Sequence, residues 1–218
     1  MEAIILVVVL IFSVVVHEVA HAWQARREGD DTADQMGRIT LNPLPHIDPI
    51  GSIILPGILA WLGGIIFGWA KPVPVNPLNY RDYVAGDIRV SMAGIIANLI
   101  LAALATLTAG ILVKVTSIVG PLGGVSDLLF LTLNYTIFIN LILANFNLIP
   151  IPPLDGSHVL AHALPDQLAD HYQRLSRFGL FILMFLVFLP IGRPLFELLL
   201  WPTFFLQGLA DQFIRLWI

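Results

Sequence analysis

The chain has 218 residues, of which 57% are hydrophobic and 12% charged, and it contains no cysteine. Soluble domains carry about 25% charged residues, so this composition indicates a protein that uses lipid as part of its solvent. The net charge of −4 offers no basic surface to nucleic acid, which excludes that class of partner, and any metal must be held by His, Asp or Glu.

The first predicted element is a membrane helix over residues 3–23. Its roughly 21 positions span roughly 30 Å at 1.5 Å per residue, the thickness of the hydrocarbon core. No basic residue precedes the apolar run, and no small-x-small cleavage site precedes the polar residues that begin at His17. The pattern therefore predicts a retained helix rather than a signal peptide.

The inner end of this helix carries the motif His17-Glu18-Val19-Ala20-His21. Histidines four residues apart share a helix face, so both imidazoles can reach one ion. Glu18 lies about 100° around the helix, where it can reach a water more readily than the metal. This is the HExxH pattern of zinc hydrolases, with two ligands and a general base. The alternative is a polar cluster that caps the span, although ionisable groups at bilayer depth cost about 2.5–3.5 kcal/mol each.

The next segments determine the topology. Residues 24–50 are polar and rich in turns, residues 51–70 are apolar but interrupted by glycines and Pro56, and residues 71–87 contain three prolines that predict extended chain. If 51–70 dips into the membrane and returns, eight of the eleven Lys and Arg residues share one face: Arg26, Arg27, Arg38, Lys71, Arg81, Arg89, Arg174 and Arg177. The positive-inside rule favours this re-entrant topology, with 24–50, 71–87 and 150–177 cytoplasmic.

The rest of the chain predicts further helices. Residues 88–113 and 127–149 are two strong spans, and 178–200 is an apolar stretch broken at 190–194. Residues 201–218 mix aromatic and charged side chains, which predicts a helix lying in the interface. We therefore predict an all-α polytopic membrane protein, one domain over residues 1–218. It has a three-helix core, a re-entrant and extended segment, and an extra C-terminal membrane helix.

A catalytic zinc takes three protein ligands and leaves one position open. Spacing alone does not choose the third ligand. The prolines of the stretch 147–156 keep the chain extended after the third span, which brings Asp155 back toward the end of the first helix. The candidates are His46, Asp155, His158, His162 and His171.

Two motifs together resemble the site-2 protease family of intramembrane zinc metalloproteases. They are His17 to His21 and the stretch Asn147-Leu148-Ile149-Pro150-Ile151-Pro152-Pro153-Leu154-Asp155-Gly156. The stretches 37–43 and 48–51 resemble the compact bacterial and archaeal branch, which has no PDZ domain. The chain differs from many members at 93–98, where Ile95 stands in place of a proline after the glycine.

The resemblance implies one Zn²⁺ per chain with Asp155 as third ligand. It also implies that Glu18 activates the water and that Asn147 holds the scissile carbonyl or its oxyanion. Substrates would be single-span proteins, and the enzyme a multi-pass protein of a prokaryotic inner membrane, with the bilayer as its surroundings and its oligomeric state open. For Asp155 the alternative is an Asp-Gly turn, and for Asn147 an interhelical hydrogen bond.

Two other functions compete with the protease. A metal-ion or solute transporter also places His and Asp inside a membrane, and an inactive scaffold could retain the fold. The sequence has no inverted repeat, and a transporter would leave Glu18 without a role. His158 and His162 could line the site or contact its ligands from outside.

Overall fold

The computed structural model describes residues 2–61, 68–120, 123–188 and 192–217, and within them all regular structure is helical. The α-helices in chain order are α1 (Glu2–Glu28), α2 (Thr32–Gln35), α3 (Leu55–Trp61), α4 (Tyr83–Val119), α5 (Gly124–Leu148), α6 (Gly156–Ala163), α7 (Asp166–Arg174), α8 (Ser176–Phe188) and α9 (Arg193–Arg215).

The three longest apolar helices form the core. Helices α1, α4 and α5 pack against one another, and each is long and apolar enough to cross a membrane. This confirms the spans predicted at 3–23, 88–113 and 127–149. Helix α4 extends further than predicted at both ends. It starts at Tyr83 because Asp82 caps it, accepting a hydrogen bond from the Ala85 amide at 2.9 Å.

A buried polar network joins the three core helices near their middle. Asn98 on α4 donates to the carbonyl of Ser13 on α1 and, at 2.7 Å, to Oδ1 of Asn140 on α5. Asn140 donates in turn to Oγ of Ser13 at 2.9 Å. All three side chains are 0% exposed. Hydrogen bonds of this kind fix how helices are aligned along the membrane normal, since lipid offers no alternative partner.

The two ends of the segment predicted to re-enter the membrane, residues 51–70, lie next to each other. It starts with a π-helical turn, Pro49–Ile54, capped by Asp48, and continues as α3. The amide of Trp69 donates to the carbonyl of Gly51 at 3.1 Å, and Oγ of Ser52 donates to the carbonyl of Trp69 at 2.8 Å. Because the two ends lie side by side, the segment does not cross the core; its residues 62–67 lie outside the described residues.

The chain between Trp69 and α4 is extended and lies along α1. Val73 packs against Ala22, and Tyr80 against Ala25. Alanines on α1 allow this close approach, since a larger side chain would hold the segment away. Arg89 of α4 pairs with Glu28 at 2.7 Å, so the end of α1 and the start of α4 lie at the same end of the core.

The C-terminal helix differs from its prediction. The carbonyl of Leu199 on α9 accepts from Asn145 near the end of α5, while Trp217 lies against Gly110 toward the far end of α4. Helix α9 therefore runs along the α4–α5 pair, and the interface helix predicted at 201–218 is wrong. An apolar groove between α4 and α5 receives it, and part of its polar surface is paired internally, Gln207 with Asp211. Of the break predicted at 190–194, residues 190 and 191 lie outside the described residues.

Candidate metal centre

The two histidines of α1 face the start of α4 and are held there from behind. Nδ1 of His17 donates to Oδ1 of Asn98 at 2.6 Å, and Nδ1 of His21 donates to the carbonyl of Val90 at 2.7 Å. Both amide hydrogens of Asn98 are donated to other groups, so its Oδ1 accepts the hydrogen of His17. The carbonyl oxygen of Val90 can only accept, so it takes the hydrogen of His21. Both rings therefore carry their proton on Nδ1 and present an Nε2 lone pair to the site, as metal-ligating histidines do.

Asp155 meets these two nitrogens. Its Oδ2 lies 3.1 Å from Nε2 of His17 and 3.3 Å from Nε2 of His21, while the two Nε2 atoms are 2.9 Å apart. Asp155 reaches this point because the chain doubles back after α5. Gly156 lies so close to the carbonyl of Leu148 that any side chain there would collide with it.

The three facing atoms fit a metal ion better than they fit one another. Each is a hydrogen-bond acceptor once the imidazole protons are on Nδ1, and the buried Oδ2 of Asp155 has no hydrogen-bond donor among the described residues. Protonating both rings would point two N–H groups at each other across 2.9 Å. Tetrahedral Zn²⁺ places its nitrogen ligands about 3.3 Å apart, close to the observed separations. Within the described part of the chain, this is the one cluster of three such residues that could hold a metal.

Gly94 makes room for the histidine pair. A Cβ at this position of α4 would lie 2.5 Å from Nε2 of His21 and 2.6 Å from Cε1 of His17. The helix backbone passes directly behind the rings, so only glycine fits here without moving them. The stretch 93–98 thus contributes both the gap at Gly94 and the acceptor at Asn98.

Glu18 opens onto the same cavity as the three candidate ligands. This cavity encloses about 690 Å³ between α1, α4, the end of α5 and the extended segment. Oε2 of Glu18 accepts a hydrogen bond from the backbone amide of Val73 at 2.8 Å. The lining is mostly apolar, with a few polar groups converging on one point, as is usual for ligand sites.

Asn147 also lines this cavity, near the end of α5. Its Nδ2 donates to the carbonyl of Leu143 in its own helix at 2.9 Å. That bond takes one of the two amide hydrogens and leaves the other for a ligand. The structure therefore places Asn147 beside the site, and no other described helix pairs with its side chain.

The other histidines considered as ligands lie outside the cluster of His17, His21 and Asp155 and have partners of their own. His46 is buried in the loop after α2 and contacts the carbonyl of Thr40, and His171 bonds within α7. His158 and His162 both contact Oδ2 of Asp87, at 3.2 and 2.8 Å, and fasten α6 to α4. His158 also lines the cavity, and its hydrogen bond to Asp87 holds its pKa above the ordinary value.

Sequence reasoning missed several groups that shape the site. Asn98 carried a signal, since a buried asparagine in a membrane span needs a partner. Gly94 carried none beyond its small size. The carbonyl of Val90 and the amide of Val73 are backbone groups, which any residue type supplies, so the sequence pattern gives no sign of them.

Comparison with known proteins adds independent information. The family described as Peptidase family M50 matches residues 49–189, a range that contains Asp155 and begins after the histidine pair. Two curated relatives share the name "Putative zinc metalloprotease". YwhC of Bacillus subtilis is 35% identical over 97% of this chain and 90% of its own length. Rip2 of Mycolicibacterium smegmatis is 31% identical over 95% of this chain and 78% of its own. No solved structure matches the chain significantly.

Proposed function

This chain belongs to peptidase family M50, the site-2 protease family, and on that premise we propose that it hydrolyses peptide bonds of membrane-spanning substrates inside the bilayer. It is a zinc metalloprotease, as its family and the names of its relatives state. Two points go beyond this assignment: the scissile bond lies inside the bilayer when it is hydrolysed, and the residues named below carry out the hydrolysis.

The observation that carries the proposal is the position of the His17, His21 and Asp155 cluster. Two of its members lie within α1, a helix able to cross a membrane, and both rings are held by α4, another such helix. Placing ionisable groups between apolar spans costs free energy, so this position is not expected for a metalloprotease that acts on soluble substrates. This position supports cleavage at membrane depth.

In the proposed mechanism His17, His21 and Asp155 hold the metal through Nε2, Nε2 and Oδ2. A bound Zn²⁺ would supply Lewis acidity, polarising the scissile carbonyl and making water easier to deprotonate. Glu18 takes the proton from the attacking water and passes it to the leaving amine. Asn147 donates its free amide hydrogen to the carbonyl oxygen as negative charge develops on it.

The setting follows from the same proposal. Residues 1–218 would act as one membrane-embedded domain, multi-pass in a prokaryotic inner membrane. The substrates would be single-span proteins whose helix unwinds locally to enter the cavity. The re-entrant segment borders that cavity through Trp69, which supports a role in admitting the substrate.

The test is Glu18→Gln. Glutamine keeps the size of glutamate and can still accept the Val73 amide hydrogen, but it cannot take a proton from water. We expect the purified variant to keep its zinc and lose nearly all cleavage of a single-span substrate in detergent, with a zinc chelator abolishing wild-type cleavage. Cleavage at the wild-type rate by the Gln variant would refute the assignment, and transport without any cleavage by the wild type would favour a transporter.

A further inference from the structure

The hydrogen bond to Glu18 comes from an unusual piece of backbone. The sequence reads Pro72-Val73-Pro74, and proline has no amide hydrogen, so Val73 supplies the only N–H group over these three residues. That one donor is directed at Oε2 of Glu18, 2.8 Å away. Among the described residues, the Val73 amide is the hydrogen-bond partner of this carboxylate.

The direction of the Val73 amide is fixed from the other side of the segment. The guanidinium of Arg38, which is almost fully buried, donates to the carbonyls of Lys71 at 2.9 Å and Pro72 at 3.2 Å. The carboxylate of Asp30 accepts from the amide of Asn76 at 2.7 Å. The prolines restrict the backbone between these two anchors. The donor is therefore held rigidly rather than carried by a mobile loop.

A fixed donor has a definite effect on a glutamate. A free Glu side chain on a helix samples several rotamers, and only some of them direct an oxygen toward the metal cluster. A bond to Oε2 selects among these rotamers and leaves Oε1 available as acceptor. An activating base needs such placement, since a misplacement of about 1 Å can cost about 100-fold in rate.

We propose that the backbone amide of Val73 is a positioning group that holds Glu18 in its reactive orientation, an inference that rests on the proposed role of Glu18 as base. The extended segment then has a function that its side chains do not reveal. The amide hydrogen of Val73 is donated to the carboxylate of Glu18, and Pro72 and Pro74 on either side have no amide hydrogen that could compete for it.

Hydrogen–deuterium exchange tests the contact without any activity measurement. Because Pro74 carries no amide hydrogen, two longer peptides with the same start that end at Pro72 and at Pro74 differ by the Val73 amide alone. We expect slow exchange in the wild type and in Glu18→Gln, and exchange about tenfold faster in Glu18→Ala, which removes the acceptor. The amide of Asn76, bonded to Asp30, is the internal control and should stay protected in all three proteins. Equal exchange at Val73 in the wild type and Glu18→Ala would overturn the proposal.

Steady-state kinetics test whether loss of this hydrogen bond lowers the rate of peptide hydrolysis. Val73→Pro removes the donor and Val73→Ala removes only side-chain packing, so their difference isolates the hydrogen bond. We expect kcat of Val73→Pro to lie about 10- to 100-fold below that of Val73→Ala, with KM and zinc content similar in the two.

The outcomes separate this inference from the function on which it rests. If Glu18→Gln is inactive while Val73→Pro and Val73→Ala share one kcat, the base is correct and the positioning role is refuted. If Glu18→Gln is active, the proposed mechanism itself fails. If Val73→Pro does not fold, the exchange measurement on Glu18→Ala still decides the matter.

Discussion

Gly94→Ala is the substitution whose effect on the metal site can be worked out most directly from distances. The added methyl carbon would lie 2.5 Å from Nε2 of His21 and 2.6 Å from Cε1 of His17. Non-bonded atoms of these kinds approach to about 3.5 Å, so the rings must move by about 1 Å. They cannot move freely, because Asn98 and Val90 hold their Nδ1 atoms.

The size of the effect follows from the tolerance of a metal site. Ligand distances in zinc sites hold to about 0.2 Å, so a displacement of about 1 Å exceeds the tolerance several-fold. Milder changes, in the groups that support ligands, already cost about 10- to 100-fold in metal affinity. We expect Gly94→Ala to lose at least about 100-fold. The helix itself should not suffer, since alanine is favoured over glycine by about 1 kcal/mol.

The assay is zinc affinity of the purified protein in detergent, by competition with a chromogenic chelator. Gly110→Ala is the matched control, because it lies in the same helix and its Cβ would meet Nε1 of Trp217 at 2.7 Å. It should disturb the packing of α9 and leave zinc affinity unchanged. Wild-type affinity in Gly94→Ala, or an equal loss in both variants, would refute the reasoning.

Three further predictions address the other assignments. Asp155→Ala should lower zinc content sharply and His46→Ala should not, by elemental analysis; the reverse result would show the ligand set to be wrong. Single cysteines at Asp31 and Asn79 should both react with an impermeant thiol reagent from the cytoplasmic side, and labelling from opposite sides would contradict the re-entrant topology. Asn147→Ala should keep zinc and lower kcat by about 10²–10³, whereas loss of zinc together with activity would indicate a structural role.

The sequence predicted the core of this protein because the bilayer imposes one strong rule. A span must be long, apolar and helical, so α1, α4 and α5 could be read from residue type and length. The pairing of His17 with His21 follows from helix periodicity in the same way. Helix periodicity does not identify Asp155 as the third ligand. Only the motif around it and the prolines that keep this stretch extended distinguished it from the four histidines that were also candidates.

The remaining features depend on three-dimensional contacts that no local pattern encodes. Residues 201–218 mix aromatic side chains with Asp211 and Arg215, which predicted an interface helix, yet the groove between α4 and α5 accepts this part of α9. His158 and His162 have the spacing of a ligand pair, but Asp87, 71 residues before the first of them, takes both. Whether a histidine binds a metal or a carboxylate is decided by what the fold places opposite it.

The order in which the ribosome delivers these helices has a consequence for the site. Helix α1 enters the membrane with His17 and His21 unsupported, since Asn98 follows His17 by 81 residues. At about 5–20 residues per second the wait lasts roughly 4–16 s, during which apolar residues of α1 alone must hold ionisable groups at membrane depth. Asp155 is synthesised later still. With Asp155 as the third ligand, we expect the nascent chain to pass through a two-histidine stage of weak affinity, so that metal loading follows synthesis of the third core helix.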